Sequence, residues 1–206
     1  RHKVIFEKGH LLQLFNIFKK VFVDNKKLKW LIIYSGIVYG FNQSALWLYQ
    51  PYFKLTGLDI IYFGFVFAGF NIISAFTSKY SYKLEEKIGQ KFSLITLVIL
   101  VSVSYLLMSN FIFLFSFSFC FLQQFVRGYL ITVVNEYVNK LTNSNIRATV
   151  LSIQNLFGRL FYSMIIPIIG WVADIYTLTQ ALSVLGITVL FLGALSLLML
   201  KRVKVV

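Results

Sequence analysis

Six apolar runs lie near residues 29–53, 58–78, 91–109, 111–138, 147–175 and 178–200. Each is about as long as the ~20 residues that a helix needs to cross the hydrocarbon of a bilayer. Such runs leave few folds open, because inside lipid every backbone N–H and C=O must be bonded internally. Only helices and closed barrels meet that condition. Barrel strands would read as short segments of alternating polarity, and these runs do not alternate. The expected fold is an all-α membrane protein with a six-helix transmembrane bundle over 29–200, a leading linker over 1–28 and a basic tail over 201–206. Composition agrees: 58% of residues are hydrophobic, 13% are charged and only two are proline.

Charge gives the bundle a direction. Of the twenty Lys and Arg, eight fall in 1–29, four in 79–91, two in 139–147 and three in the tail, whereas the alternate gaps hold only Lys54. Basic loops stay on the cytoplasmic side, so both termini are expected there, in a multi-pass protein of the plasma membrane. A formal charge of +13 in a soluble chain would suggest nucleic acid. Here the cations fill the gaps between apolar runs, and no nucleic-acid partner is expected. In the leading segment Leu11, Phe15, Phe18 and Phe22 recur at helical spacing beside Lys19, Lys20, Lys26 and Lys27. That pattern fits an amphipathic helix on an anionic leaflet and equally a solvated linker.

Within the spans, polar residues line up at ~100° per residue. Tyr39, Gln43, Trp47 and Gln50 share one face of the first span, with Gly36, Gly40 and Ser44 beside them. Ser116, Cys120, Gln123 and Arg127 form a stripe on the fourth span, with Gln124 at its edge. On the fifth, Ala148, Ser152, Asn155, Arg159, Ser163, Gly170 and Asp174 fall together, and Pro167 predicts a kink near 163–167. Small and polar residues also serve ordinary helix packing, as in Gly36-xxx-Gly40. The two arginines are harder to explain as packing. Each lies near the middle of its span, where a guanidinium costs roughly 2.5–3.5 kcal/mol on insertion scales. No acid lies at their depth, since Glu136 is nine residues beyond Arg127, ~13 Å along the helix. They therefore face water or a partner, or brace helix ends through backbone carbonyls.

Catalytic chemistry has no foothold in the spans. His2 and His10 precede them, Cys120 is the lone cysteine, and no HExxH, CxxC, GxSxG or GxxxxGK[ST] occurs. The expectation is a non-enzyme with no metal and no cofactor.

The gap after the second span reads YKLEEKIGQK, residues 82–91. It resembles the signature G-x-L-a-D-R-x-G-R-R of the major facilitator superfamily, with Leu84, Glu86, Lys87, Gly89 and Lys91 in the matching places. Tyr82 and Gln90 depart from it. The stretches NSNIRATVLSIQNLFGRL and PIIGWVAD resemble the penultimate helix of the superfamily's bacterial drug-efflux-like branch. The resemblance implies the carboxyl-terminal six-helix half of a twelve-helix fold, built from two inverted three-helix repeats, with substrate held between halves. A start without methionine and a linker-like leading segment fit that reading.

The function that the resemblance implies is alternating-access transport of a small molecule, with efflux as one direction. It places Gln43, Trp47, Gln50, Gln123 and Arg127 on the cavity-lining first and fourth helices, and Asn155 and Arg159 at the cavity edge. Glu86, Lys87, Gly89, Lys91, Glu136 and Arg147 would form a cytoplasmic gate. The expected partners are an amino-terminal six-helix half, the lipid bilayer and a small-molecule substrate. An anionic substrate, carboxylates of the other half or cavity water would offset the two arginines. A non-transporting membrane scaffold or receptor-like protein of the same fold is the alternative.

Overall fold

The computed structural model describes residues 18–205, and over these the chain is helical with no strand. Helix α1 spans Lys26–Leu55, α2 Phe63–Asn110, α4 Arg147–Ile175 and α5 Leu178–Arg202. Between α2 and α4 lies α3, Leu114–Lys140. It opens on a 3₁₀ stretch (Leu114–Phe119) and contains a π-helical turn (Leu130–Val134). Side-chain caps mark two of the starts. Asn25 Oδ1 accepts from the Leu28 N–H at 3.0 Å and Thr177 Oγ1 from that of Gln180 at 3.2 Å, each satisfying one of the orphan donors of a first turn.

Among the described residues, four helical segments are long and apolar enough to cross a bilayer: Ile60–Asn110, Leu114–Lys140, Ser144–Ile175 and Leu178–Arg202. The chain is thus a multi-pass membrane protein. Helix α1 has the length but more polar residues, among them Asn42, Gln43, Ser44 and Gln50. The 48 residues of α2 would reach ~72 Å as a straight helix, more than twice the ~30 Å of hydrocarbon. They do not run straight. Gly89, at φ 75° and ψ 163°, breaks the helix into limbs 63–88 and 90–110. The basic gap at 79–91, expected as a loop, is therefore helical on both sides of a single glycine break. Pro167, where a kink is expected, lies inside α4, which is helical from Arg147 to Ile175.

Helix α1 is the centre of the bundle, with 17 of its 30 residues buried, and α4 is peripheral, with four of 29. Glycines set the close approaches. A Cβ on Gly36 would lie 2.4 Å from the Phe157 ring, and one on Gly40 2.6 Å from Phe161, so α1 presses on α4 through the Gly36-xxx-Gly40 face. Gly186 and Gly193 of α5 meet Leu106 and Val98 of the second α2 limb in the same way. Buried hydroxyls close their bonds across helices. Tyr34 donates to the Leu94 carbonyl at 2.7 Å, Tyr105 to that of Phe41 at 2.6 Å and Ser102 to that of Gly186 at 2.8 Å. Such partners are what burial demands of a polar group.

Of the leading segment, Leu11 and Phe15 lie outside the described residues. Val21 is fully buried, Phe22 packs on Phe157 with ring centroids 6.2 Å apart, and Phe18 is half exposed. This stretch lies at least in part on the bundle itself.

Candidate functional site: a polar face across two helices

Helix α1 is covered on most sides, and its exposure is concentrated on one strip. Tyr39 and Gln43 are half-buried, and Trp47 and Gln50 are exposed, Trp47 by 64%. Spacings of four, four and three keep them on one side of the helix. Helix α4 is open over more than half its circumference, and at ~100° per residue its open surface divides in two. Leu156, Leu160, Met164, Ile168 and Trp171 form an exposed apolar strip suited to lipid, while Ser152, Asn155, Arg159 and Ser163 form an exposed polar one.

The polar strip adjoins that of α1. Tyr39 packs over Gly158, where an added Cβ would meet its ring at 2.8 Å. One turn further on, the Trp47 indole N–H donates to the Tyr162 hydroxyl. These two contacts sew the helices along the boundary of both strips. Gln43, Trp47, Gln50, Asn155 and Arg159 thereby come together on one open face.

Arg127 lies elsewhere on the bundle. Its Nε donates to Ser74 Oγ at 3.1 Å and its Nη2 to Asn71 Oδ1 at 2.8 Å, both on the first α2 limb. Two neutral partners hold the guanidinium without neutralising it. The contacts also fix depth. Asn42 donates to the Gln123 carbonyl at 2.8 Å, which puts Arg127, one turn onward in the antiparallel α3, near α1 residues 37–41. Gly36 and Gly40 face Phe157 and Phe161, which puts Arg159 at that same level, within about one ~5 Å turn.

Gln123 is placed differently from its neighbours in the stripe. It is fully buried, its Oε1 accepting from the Tyr49 hydroxyl at 2.6 Å, while Gln124 Nε2 donates to that hydroxyl at 2.9 Å. Gln123 Nε2 and Gln124 Oε1 have no partner among the described residues. The side chain belongs to the contact between α1 and α3, away from the open face.

At the Lys-rich end, Glu86, Lys87 and Lys91 are exposed and Gly89 supplies the break. The acid engaged there is Glu85, whose Oε1 accepts from the Tyr137 hydroxyl at 2.7 Å. Glu136 is half-buried and Arg147 exposed. Asn71, Ser74 and Glu85 escaped sequence reasoning. Asn71 and Ser74 were visible only as two of several polar residues in a largely apolar run. Glu85 is adjacent to the motif position taken by Glu86 and differs from it only in the face it occupies.

No group of three or more His, Cys, Asp or Glu that could hold a metal ion occurs among the described residues. A profile of the Major Facilitator Superfamily matches residues 32–205, from the first turns of α1 through α5. The chain belongs to the major facilitator superfamily. The match takes in every helix that builds the polar face, the Gly89 break and the Arg127 clamp. Membership in a transporter family fits a non-enzyme. A search of curated proteins found no match for this superfamily member.

Proposed function

We propose that this chain is the carboxyl-terminal half of a secondary transporter that moves a small molecule by alternating access. The observation that carries this reading is the open polar face of α1 and α4, which lies beside the exposed apolar strip of α4 formed by Leu156, Leu160, Met164, Ile168 and Trp171. A lipid-facing wall would not carry Gln43, Gln50, Asn155 and Arg159, because charged and polar groups in membranes face protein or water. In the proposed assembly an amino-terminal six-helix half covers that face, and substrate binds between the two. With α1, both limbs of α2, α3, α4 and α5 each counted as one span, the half has six. Its Lys-rich end, where α1 begins and α5 ends, faces the cytoplasm of a plasma-membrane protein.

Arg159 on the face, with Arg127 at the same depth on another side of the bundle, gives this level a positive potential that a small anion, or carboxylates of the other half, would offset. Export of the molecule is the direction that the drug-efflux resemblance of α4 favours. A scaffold of the same fold gains nothing from an open polar face, which favours transport. Counterflow of radiolabelled solutes in proteoliposomes tests the reading, with organic anions screened first. Solute accumulation that the Arg159→Ala variant abolishes is the expected result. Robust counterflow by 1–206 alone as a defined monomer would overturn the half-transporter assignment.

A further inference from the structure

A second site lies at the Lys-rich end of the bundle. A cavity of about 1230 Å³ opens between the start of α1, the turn from α3 to α4 and the end of α5. It is larger than the ~300–1,000 Å³ that suits a drug-sized ligand. Its charged lining is one-sided: Lys26, Lys27, Lys29 and Arg202 stand against the single carboxylate of Asp24. The rest is mostly apolar, with Trp30, Leu141, Ile146 and Met199 among the walls. Lys29 Nζ sits 5.9 Å from the centre of the Trp30 ring, so cation and apolar surface meet inside one pocket.

We propose that this cavity binds the headgroup of an anionic phospholipid from the Lys-rich leaflet. Cations on two of its sides, three at the start of α1 and Arg202 at the end of α5, suit a phosphodiester. The apolar walls suit the glycerol and first methylenes, which a free phosphate lacks. The pocket is built where helix ends of a membrane protein meet the interface, the depth at which lipid phosphates lie. Binding there would tie the linker before α1 to the ends of α3 and α5, away from the polar face and independent of what that face transports.

Trp30 is a built-in reporter, because the chain has three tryptophans and W47F/W171F leaves it alone. Phosphatidylglycerol with brominated acyl chains, titrated into the purified full chain in mild detergent, should quench Trp30 saturably. Brominated phosphatidylcholine should quench it far less. The K26Q/K27Q/R202Q variant, keeping Lys29 beside the reporter ring, should bind about a hundredfold more weakly, at roughly fivefold per cation near an anionic surface. K79Q/K83Q/K87Q removes three charges from the other basic gap and should leave the quench intact. Far-UV dichroism and monodisperse elution check folding. Where the triple variant fails them, R202Q and K27Q singly should each cost about fivefold. Equal quenching by both lipids, or equal loss in the two triple variants, overturns the site. Displacement of the lipid by millimolar inorganic phosphate would assign the pocket to a soluble phosphate and overturn the lipid proposal.

Discussion

Gly128 of α3 lies against Ser74 of α2 so closely that an added Cβ would sit 2.3 Å from the Ser74 carbonyl oxygen. The obstacle is backbone, so no side chain can swing aside. Gly128→Ala must push α3 from the first α2 limb and stretch the neighbouring bond from Arg127 to Ser74. A loss of about 1–3 kcal/mol or more is expected, the range for overpacking. Gly170→Ala is the control, since nothing lies within 4 Å of its added Cβ. It should be neutral or stabilising by up to about 1 kcal/mol, because alanine is the better helix former. Unfolding midpoints in detergent would show the opposite signs, and equal shifts would refute the packing account.

Gly89 poses a different constraint. Nothing lies within 4 Å of its added Cβ, so its substitution tests backbone alone. At φ 75° and ψ 163° it occupies a region essentially reserved for glycine. Gly89→Ala should cost about 1–3 kcal/mol, and Gly89→Asn about the same, although asparagine tolerates ordinary left-handed turns. An asparagine variant as stable as the parent would mean that the limb junction relaxes into another conformation.

Much of this architecture was legible because lipid is a strict solvent. The runs expected at 147–175 and 178–200 became α4 and α5 almost to the residue, since apolar length and helix length are the same quantity in a bilayer. The stripe Tyr39, Gln43, Trp47, Gln50 was legible for a related reason. Periodicity says which residues share a face, and on α1 that face is the exposed one. Periodicity does not say what covers a face. Gln123 and Arg127 share a stripe in sequence, yet one is sealed against Tyr49 and the other reaches Asn71, because different helices pack over the two ends of that stripe. The helical continuation through 79–91 was hidden by its lysines, which mark the end of hydrocarbon but not the end of a helix.

Arg127 contacts two partners with two nitrogens, a geometry that lysine cannot copy. Arg127→Lys should therefore lose one of the bonds to Asn71 and Ser74, costing about 1.5–3 kcal/mol, the range for hydrogen bonds to charged groups. In a double-mutant cycle with Asn71→Ala, the second change should cost little once the first is made. Additive losses would show that the contact carries no energy. If substrate rather than Asn71 is the main partner, Arg127→Lys should weaken solute binding while leaving the unfolding midpoint nearly unchanged.

Glu136 and Arg147 flank the turn between α3 and α4, and we expect them to pair as a latch in one transport state. An exposed pair contributes only about 0–1 kcal/mol, enough to bias a balanced equilibrium but not to hold the fold. Glu136→Arg and Arg147→Glu should each slow transport several-fold, and the double exchange should restore part of it. Losses that simply add would end the latch proposal. Tyr137→Phe is a useful companion, because it removes the observed bond to Glu85 and should act whether or not the latch exists.

The most direct test of the polar face uses the chain's single native cysteine as background. With Cys120→Ser, and any cysteine of the partner half likewise replaced, a new cysteine is the only thiol of the protein, and Cys120 is buried in any case. Gln43→Cys, Gln50→Cys, Asn155→Cys and Arg159→Cys place that thiol on the adjoining strips of α1 and α4. Gln123→Cys places it in the sealed contact beneath Tyr49. A charged, membrane-impermeant thiol reagent needs water and a thiolate, so it labels residues in an aqueous cavity and spares those facing lipid or buried in packing. In intact cells carrying the protein with its partner half, the four strip positions should label and Gln123→Cys should not. Substrate should protect the strip positions by occupying the same water, and protection should fall away for residues nearer the Lys-poor end. Leu160→Cys, on the apolar strip of α4, should stay unlabelled as the lipid-facing control. Labelling at Leu160 as fast as at Asn155 would mean that α4 has no preferred wet side. Failure of all four strip positions in every transport state would mean that the polar face is packing surface, and the site would have to be sought around Arg127 instead.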